Sequence, residues 1–325
     1  MVKVLKSNRI LCIFIIIFLC VFISNPIIYM QSCLKGLSIW FYNVMPALFP
    51  FFITTRLLIL LDIDDIPFVD KISYKLFKAR NAGKIFLLSL LSGYPVGAKL
   101  ICDAQKNGQI DNISAKKMLS FCSVSGPMFI VGTVGVAIFH KASVGFILLV
   151  CHIISAIVNG IVFRKMYGIP QEEKFEIKTK GKQKNILADS MIDSINSILL
   201  VGGYIVFAYI LIDLFNNINV IPFVATILSK LPFLSGQYET IVAFLNGLLE
   251  MTRGIVDVNA TGVCLKITIP IVSFLLGFGG ISIFMQSTTF TRELNIKKPI
   301  YLFQKFCQGI WALIVSIIIC LIFKI

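Results

Sequence analysis

Histidine occurs only twice in these 325 residues, at positions 140 and 152, and acidic residues only sixteen times. A Ser-His-Asp relay or a zinc-hydrolase centre needs imidazoles beside carboxylates or thiolates at fixed spacing, and there is almost no material for either. Both histidines are therefore read as structural. The nine cysteines (12, 20, 33, 102, 122, 151, 264, 307 and 320) include no C-x-x-C pair and no metal-ligand spacing. Odd in number and scattered through apolar runs, they are expected to be reduced and to serve packing. Charged residues make up 14% of the chain, too few to solvate the surface of a soluble domain. No cofactor, no metal and no enzymatic activity are expected.

What is abundant is apolar. Hydrophobic residues are 57% of the chain and the mean hydropathy is +0.90, which marks a polytopic membrane protein whose first partner is the lipid bilayer. The net charge of +14 would suggest nucleic acid in a soluble protein. Here the basic residues fall in short loops between apolar runs, which points to cytoplasmic loops instead. No nucleic-acid motif is present, and no nucleic-acid partner is expected.

Lys3, Lys6 and Arg9 precede the run Ile10–Ile28, read as an uncleaved first helix that starts in the cytoplasm and ends at Asn25-Pro26. Further spans are predicted at Leu37–Leu61, Met118–Phe139, Val144–Phe163, Ile198–Phe215, Ile267–Phe290 and Ile300–Phe323. After the second span, Phe68, Ile72, Leu76 and Phe77 recur at helical spacing among lysines, as in an amphipathic helix lying on a membrane surface. The segment 164–190 is a basic cytoplasmic linker. It separates a first unit, 36–163, from a second, 191–325; residues 1–35 are an extra N-terminal helix.

The most informative stretch is Ser92-Gly-Tyr-Pro-Val-Gly-Ala-Lys99. It lies between the apolar arms Ile85–Leu91 and Val96–Cys102, each less than half the roughly 20 residues that a spanning helix needs. A second short arm, Ile241–Leu249, ends at Glu250-Met-Thr-Arg-Gly254. Two of the long runs are themselves interrupted, at Ser123–Pro127 and at Gly277–Ser282. Backbone breaks at membrane depth survive only inside protein or beside a watery cavity. Matching breaks in two halves mark the substrate site of a transporter. The predicted architecture is thus all-α and polytopic, with about seven transmembrane helices, two re-entrant hairpins and inverted-topology repeats. The N-terminus is cytoplasmic and the C-terminus lies on the opposite side.

Candidate substrate-binding residues follow from these breaks: Ser92, Gly93, Tyr94, Pro95 and Lys99 on the first hairpin, Glu250, Thr252 and Arg253 on the second, and Ser125, Gly126, Ser282 and Gln286 on the broken helices. Ionisable groups at membrane depth are costly and usually functional, and the N-termini of broken helices suit anions. Plainer readings stay open. Lys99 can snorkel to an interface, Glu250 and Arg253 can form an i,i+3 ion pair, and the glycines can serve close helix packing.

Several of these motifs resemble the YlbJ (SpoVV) family of sporulation integral membrane proteins, within the nucleoside-recognition or Gate group that is similar to concentrative nucleoside transporters. The resemblance is carried by Pro46-Ala-Leu-Phe-Pro-Phe-Phe52, Ser92–Lys99 and Ser125-Gly-Pro-Met-Phe-Ile130. It continues in Gly132 and Gly135, Leu199-Leu-Val-Gly-Gly203, Gly247-Leu-Leu-Glu250 and Gly279-Gly-Ile-Ser282, and runs from about residue 36 to the C-terminus. It implies a role in endospore formation, moving dipicolinic acid across the outer forespore membrane. Dipicolinate is a flat ring with two carboxylates, which cations, free helix amides and serine hydroxyls would hold. The alternatives are a nucleoside-type solute or a non-transporting assembly protein of the sporulation membrane. The coupling ion, if any, and a homo-oligomeric state are left open by the sequence.

Overall fold

The computed structural model describes residues 12, 13, 15, 16, 18–61, 67–168 and 185–324. The expected charged N-terminal start, residues 62–66 and most of the basic linker lie outside the described residues. Every regular element among the described residues is helical. The exterior is apolar: Ile317, Ile318, Leu321, Ile322 and Phe323 are exposed, while His152, Asn159, Gln304, Lys305 and Gln308 are buried. A polar interior inside an apolar shell is the arrangement that hydrocarbon, not water, stabilises.

The elements run as follows. Helix α1 (Pro26–Ile39) passes through a π-turn (Trp40–Val44) into α2 (Met45–Leu60). Then come α3 (Pro67–Phe77), the pair α4 (Ala82–Ser92) and α5 (Val96–Lys106), α6 (Asn112–Cys122), a π-helical segment (Met128–Ile138) and α7 (Ala142–Phe163). The second half contains α8 (Ile186–Asn217), α9 (Val220–Leu228), the pair α10 (Tyr238–Leu249) and α11 (Met251–Ala260), the pair α12 (Leu265–Phe278) and α13 (Gly280–Phe290), and α14 (Lys298–Phe323). Element for element the halves have the same order: long helix, short surface helix, hairpin, broken helix, long helix.

Five runs are long and apolar enough to cross a membrane: Pro26–Leu60, Ala142–Phe163, Ile186–Asn217, Leu265–Leu294 and Lys298–Phe323. The expected loop between the first two spans is absent. Asn25-Pro26 does end the N-terminal helix, and Phe22 stacks back on Tyr29 at 5.4 Å. However, proline at the first helical position starts α1 at once, so residues 29–36 are helix, and Lys35 lies on it rather than in a loop. The expected span Met118–Phe139 is divided, as its Ser-Gly-Pro break demands: α6 and the π-segment are each eleven residues long. The arms of the first hairpin are also eleven residues each, or about 16 Å of rise, half of a hydrocarbon core.

The breaks are held by side chains from the long helices. At the first, His152 Nε2 on α7 accepts the Ser125 amide at 2.9 Å, and Tyr301 on α14 donates to the Ser123 hydroxyl at 3.0 Å. Asn159 on α7 donates to the Ser120 and Gln304 carbonyls at 2.6 and 3.1 Å. The structural reading of His152 thus has a definite content: its imidazole replaces a backbone acceptor that the break removed. Each hairpin tip then packs on the break of its own half through glycines. A methyl at Gly93 (φ +75°) would meet the Gly126 amide at 2.8 Å, and one at Gly280 (φ +76°) would meet the Gly247 carbonyl at 3.1 Å.

Candidate functional site

Where the two hairpin tips and the two breaks meet, a cavity of about 20 Å³ is lined by Tyr94, Ser125, Phe129, Glu250, Met251, Thr252, Ile283 and Gln286, closed by Val44 and Leu48 of α2 and Val201 and Ile205 of α8. Apart from α2 and α8, its lining comes from the starts of α5, α11 and the π-segment, or from residues just before them, and from the first two turns of α13. Three of these four starts have no side-chain cap; their capping positions are Pro95, Pro127 and Gly279. The fourth is capped by Glu250, whose carboxylate accepts the Arg253 amide at 2.6 Å. Uncapped helix starts present N–H donors and the positive end of the helix dipole.

Of the residues singled out in the sequence, Tyr94, Ser125, Glu250, Thr252 and Gln286 share this cavity. Gln286 donates to Ser282 at 3.2 Å, while its amide oxygen is buried without a partner. Gly93 and Gly126 shape the wall by touching each other. Pro95 follows Tyr94 through a cis peptide bond and stands at the capping position just before α5. Ser92 is buried, but its hydroxyl is used on the Leu88 carbonyl at 2.8 Å, so it stabilises the end of α4 rather than facing the cavity.

The two cations depart from expectation. Lys99, one turn into α5, points away from the cavity to a second small space with Arg56, Asp103, Asp193, Ser194 and Ser197, its ammonium 6.0 Å from the Phe290 ring. Arg253 does not pair with the Glu250 carboxylate. Its guanidinium reaches Asp257 at 3.0 Å and Asp213 at 3.2 Å and lies over the Tyr209 ring. Asp213 also accepts from Ser32, and Asp257 from Asn246. An i,i+3 contact on paper became an N-cap in space, because Glu250 is the last residue before the helix and not a member of it.

The same construction recurs in the first half with the charges reversed. Arg56 on α2 reaches Asp193 at 2.6 Å and Asp103 of α5 at 3.5 Å. Arg56 and Asp213 each stand four residues before the end of the long helix that opens their half, and each holds the second arm of its hairpin. One latch uses a cation on the long helix, the other an anion.

Lys305 was missed by reading the sequence. It is 2% exposed in the middle of the molecule and donates to the Tyr94 hydroxyl and the Ser123 carbonyl at 2.7 Å each, and to Gln308 Oε1 at 2.5 Å. The signal was present: Gln304, Lys305 and Gln308 interrupt one face of an otherwise apolar final span, and a lysine at such depth marks function by default.

Neither a family model nor a solved structure matches the chain. A curated relative does: the chain is 30% identical over 321 residues to "Sporulation integral membrane protein YlbJ" of Bacillus subtilis (strain 168), covering 89% of this chain and 77% of the relative. The chain therefore belongs to the YlbJ family of sporulation integral membrane proteins.

Proposed function

We propose that this protein is a transporter of a small aromatic carboxylate during endospore formation, with dipicolinic acid crossing the outer forespore membrane as the cargo. The observation that carries the reading is the convergence of four helix starts, three without a side-chain cap, on one buried cavity. Carboxylates bind helix N-termini through the free amides and the dipole, and the Ser125 and Thr252 hydroxyls and the Gln286 amide add polar partners. At about 20 Å³ the cavity has room for roughly one water, so the described state is closed and a solute enters only when a hairpin moves. The matching order of elements in the two halves supports an inverted repeat, in which one hairpin opens toward each face of the membrane.

One observation favours a second reading within transport. Glu250 puts an acid in the cavity while Lys99 and Arg253 are directed elsewhere, which suits a neutral, hydroxyl-rich solute such as a nucleoside. Uptake into proteoliposomes separates the two. Labelled dipicolinate is expected to accumulate above protein-free vesicles and to be displaced by excess unlabelled dipicolinate, with uridine neither transported nor competing. Uridine uptake without dipicolinate uptake would establish the second reading, and absence of any flux would favour an assembly role.

The latches provide an independent check on hairpin movement. Arg253→Asp is expected to lower both the thermal stability of the purified protein and its uptake rate, since it places three acids together. Adding Asp213→Arg is expected to restore at least about half of the stability loss, as interacting charge pairs do in double-mutant cycles. Additive losses in the double variant would mean that the pair does not hold the hairpin.

A further inference from the structure

The second ends of the broken helices converge as well, and on a single group. Helix α6 stops at Cys122, leaving the Ser123 carbonyl directed at the Lys305 ammonium, 2.7 Å away. Helix α12 stops at Phe278, and its Leu276 and Gly277 carbonyls lie 3.4 and 3.5 Å from the Tyr94 hydroxyl. That hydroxyl in turn accepts from Lys305 at 2.7 Å. Each helix C-terminus carries the negative end of a dipole, equivalent to roughly half an elementary charge. Two such ends, one from each half, therefore converge on one buried ammonium, the first directly and the second through the Tyr94 hydroxyl, and no carboxylate stands within ion-pair distance of it among the described residues. The three N–H bonds of the ammonium match three acceptors: a carbonyl, a hydroxyl and an amide oxygen from Gln308. Neutral oxygens at a helix C-terminus are the ligand set of a monovalent cation.

We propose that the Tyr94, Ser123 and Gln308 oxygens form a monovalent-cation site that the chain fills with its own Lys305 ammonium. Its positive charge, not the bulk of the side chain, braces the two breaks against each other. The site lies on the C-terminal side of the breaks, whereas the solute cavity lies on the N-terminal side, and Tyr94 is the wall between them. The proposal rests on no transported solute, so its test uses stability alone.

The full-length protein, purified in detergent, is compared as wild type, Lys305→Ala and Lys305→Met, with melting followed in choline chloride and in equal concentrations of sodium, potassium, ammonium or methylammonium chloride. Both variants are expected to melt lower than wild type in choline, by a shift on the order of 5 °C. Lys305→Ala, which opens space, is expected to recover most of that loss, saturably, in at least one small cation. Lys305→Met, which fills the space, is expected not to recover, and wild type is expected to be indifferent to the ion. A Lys305→Met protein as stable as wild type in choline would overturn the proposal, because bulk would then suffice. Equal stability of Lys305→Ala in all five salts would also overturn it, as would failure of both variants to fold in every salt.

Discussion

Gly254→Ala is expected to prevent the second hairpin from closing and to remove most of the folded, monodisperse protein. The two arms cross at Gly247 and Gly254. A methyl on Gly254 would stand 2.1 Å from the Gly247 Cα and 2.6 Å from its amide nitrogen. Both partners are backbone, so no rotamer change relieves the overlap. Overpacking a well-packed core with an extra methyl costs about 1–3 kcal/mol, and a backbone–backbone clash exceeds the upper end of that range because the arms must separate. Separation would also move Glu250 and Thr252 out of the cavity. The check is size-exclusion of a fluorescent fusion together with a melting curve. Gly203→Ala is the control, since a methyl there meets nothing within 4 Å and is expected to be silent. Wild-type behaviour of Gly254→Ala would mean that the hairpin arms are not in contact.

Glu250→Gln is expected to change solute affinity by about a hundredfold, and the sign of the change identifies the solute class. Glu250 is 1% exposed. Its amide replacement keeps an oxygen that can accept the Arg253 N–H, so the N-cap is retained. Only the charge is lost. At about 6 Å and an effective dielectric near 20, two unit charges interact by roughly 3 kcal/mol, which is about a hundredfold in affinity. A bound dianion is repelled by an ionised Glu250, so the glutamine variant is expected to hold dipicolinate more tightly near neutral pH and to lose the preference for acid that the repulsion creates in the wild type. A nucleoside would instead lose a charged acceptor for its hydroxyls and bind more weakly. Equilibrium binding of labelled solute at several pH values reads both the magnitude and the sign; unchanged affinity for either solute would remove Glu250 from the site.

Much of this architecture was legible because hydropathy and backbone breakers are local signals. The short arms, the Ser-Gly-Pro and Gly-Gly breaks, the surface helix at 67–77 and the matching order of the halves all follow from runs of apolar residues and the glycines or prolines that interrupt them. Five of the twelve proposed site residues line one cavity because they flank those breaks. The directions of long side chains were not legible. Lys99 lies five residues after Tyr94 and Arg253 one after Thr252, yet helical rotation turns Lys99 into the space shared with Arg56 and Asp193 and brings Arg253 to Asp213, forty positions away. Lys305 escaped for the opposite reason: its span was long enough to satisfy a hydropathy reading, so its one polar face was averaged away.

Asp193 and Asp213 lie on the same helix, twenty residues apart, or about 30 Å along its axis, the thickness of a bilayer's hydrocarbon core. The two latches therefore stand at opposite ends of a helix that is long and apolar enough to cross a membrane. Mobile salt screens exposed charges and spares enclosed ones, and the two ends differ in that respect: the Asp193 side chain is 34% exposed, that of Asp213 only 17%. Raising ionic strength is expected to loosen the Asp193 latch first and to change the Asp213 latch little. Two halves with one order of elements thus acquire a polarity, set by which end of one helix the surrounding electrolyte can reach.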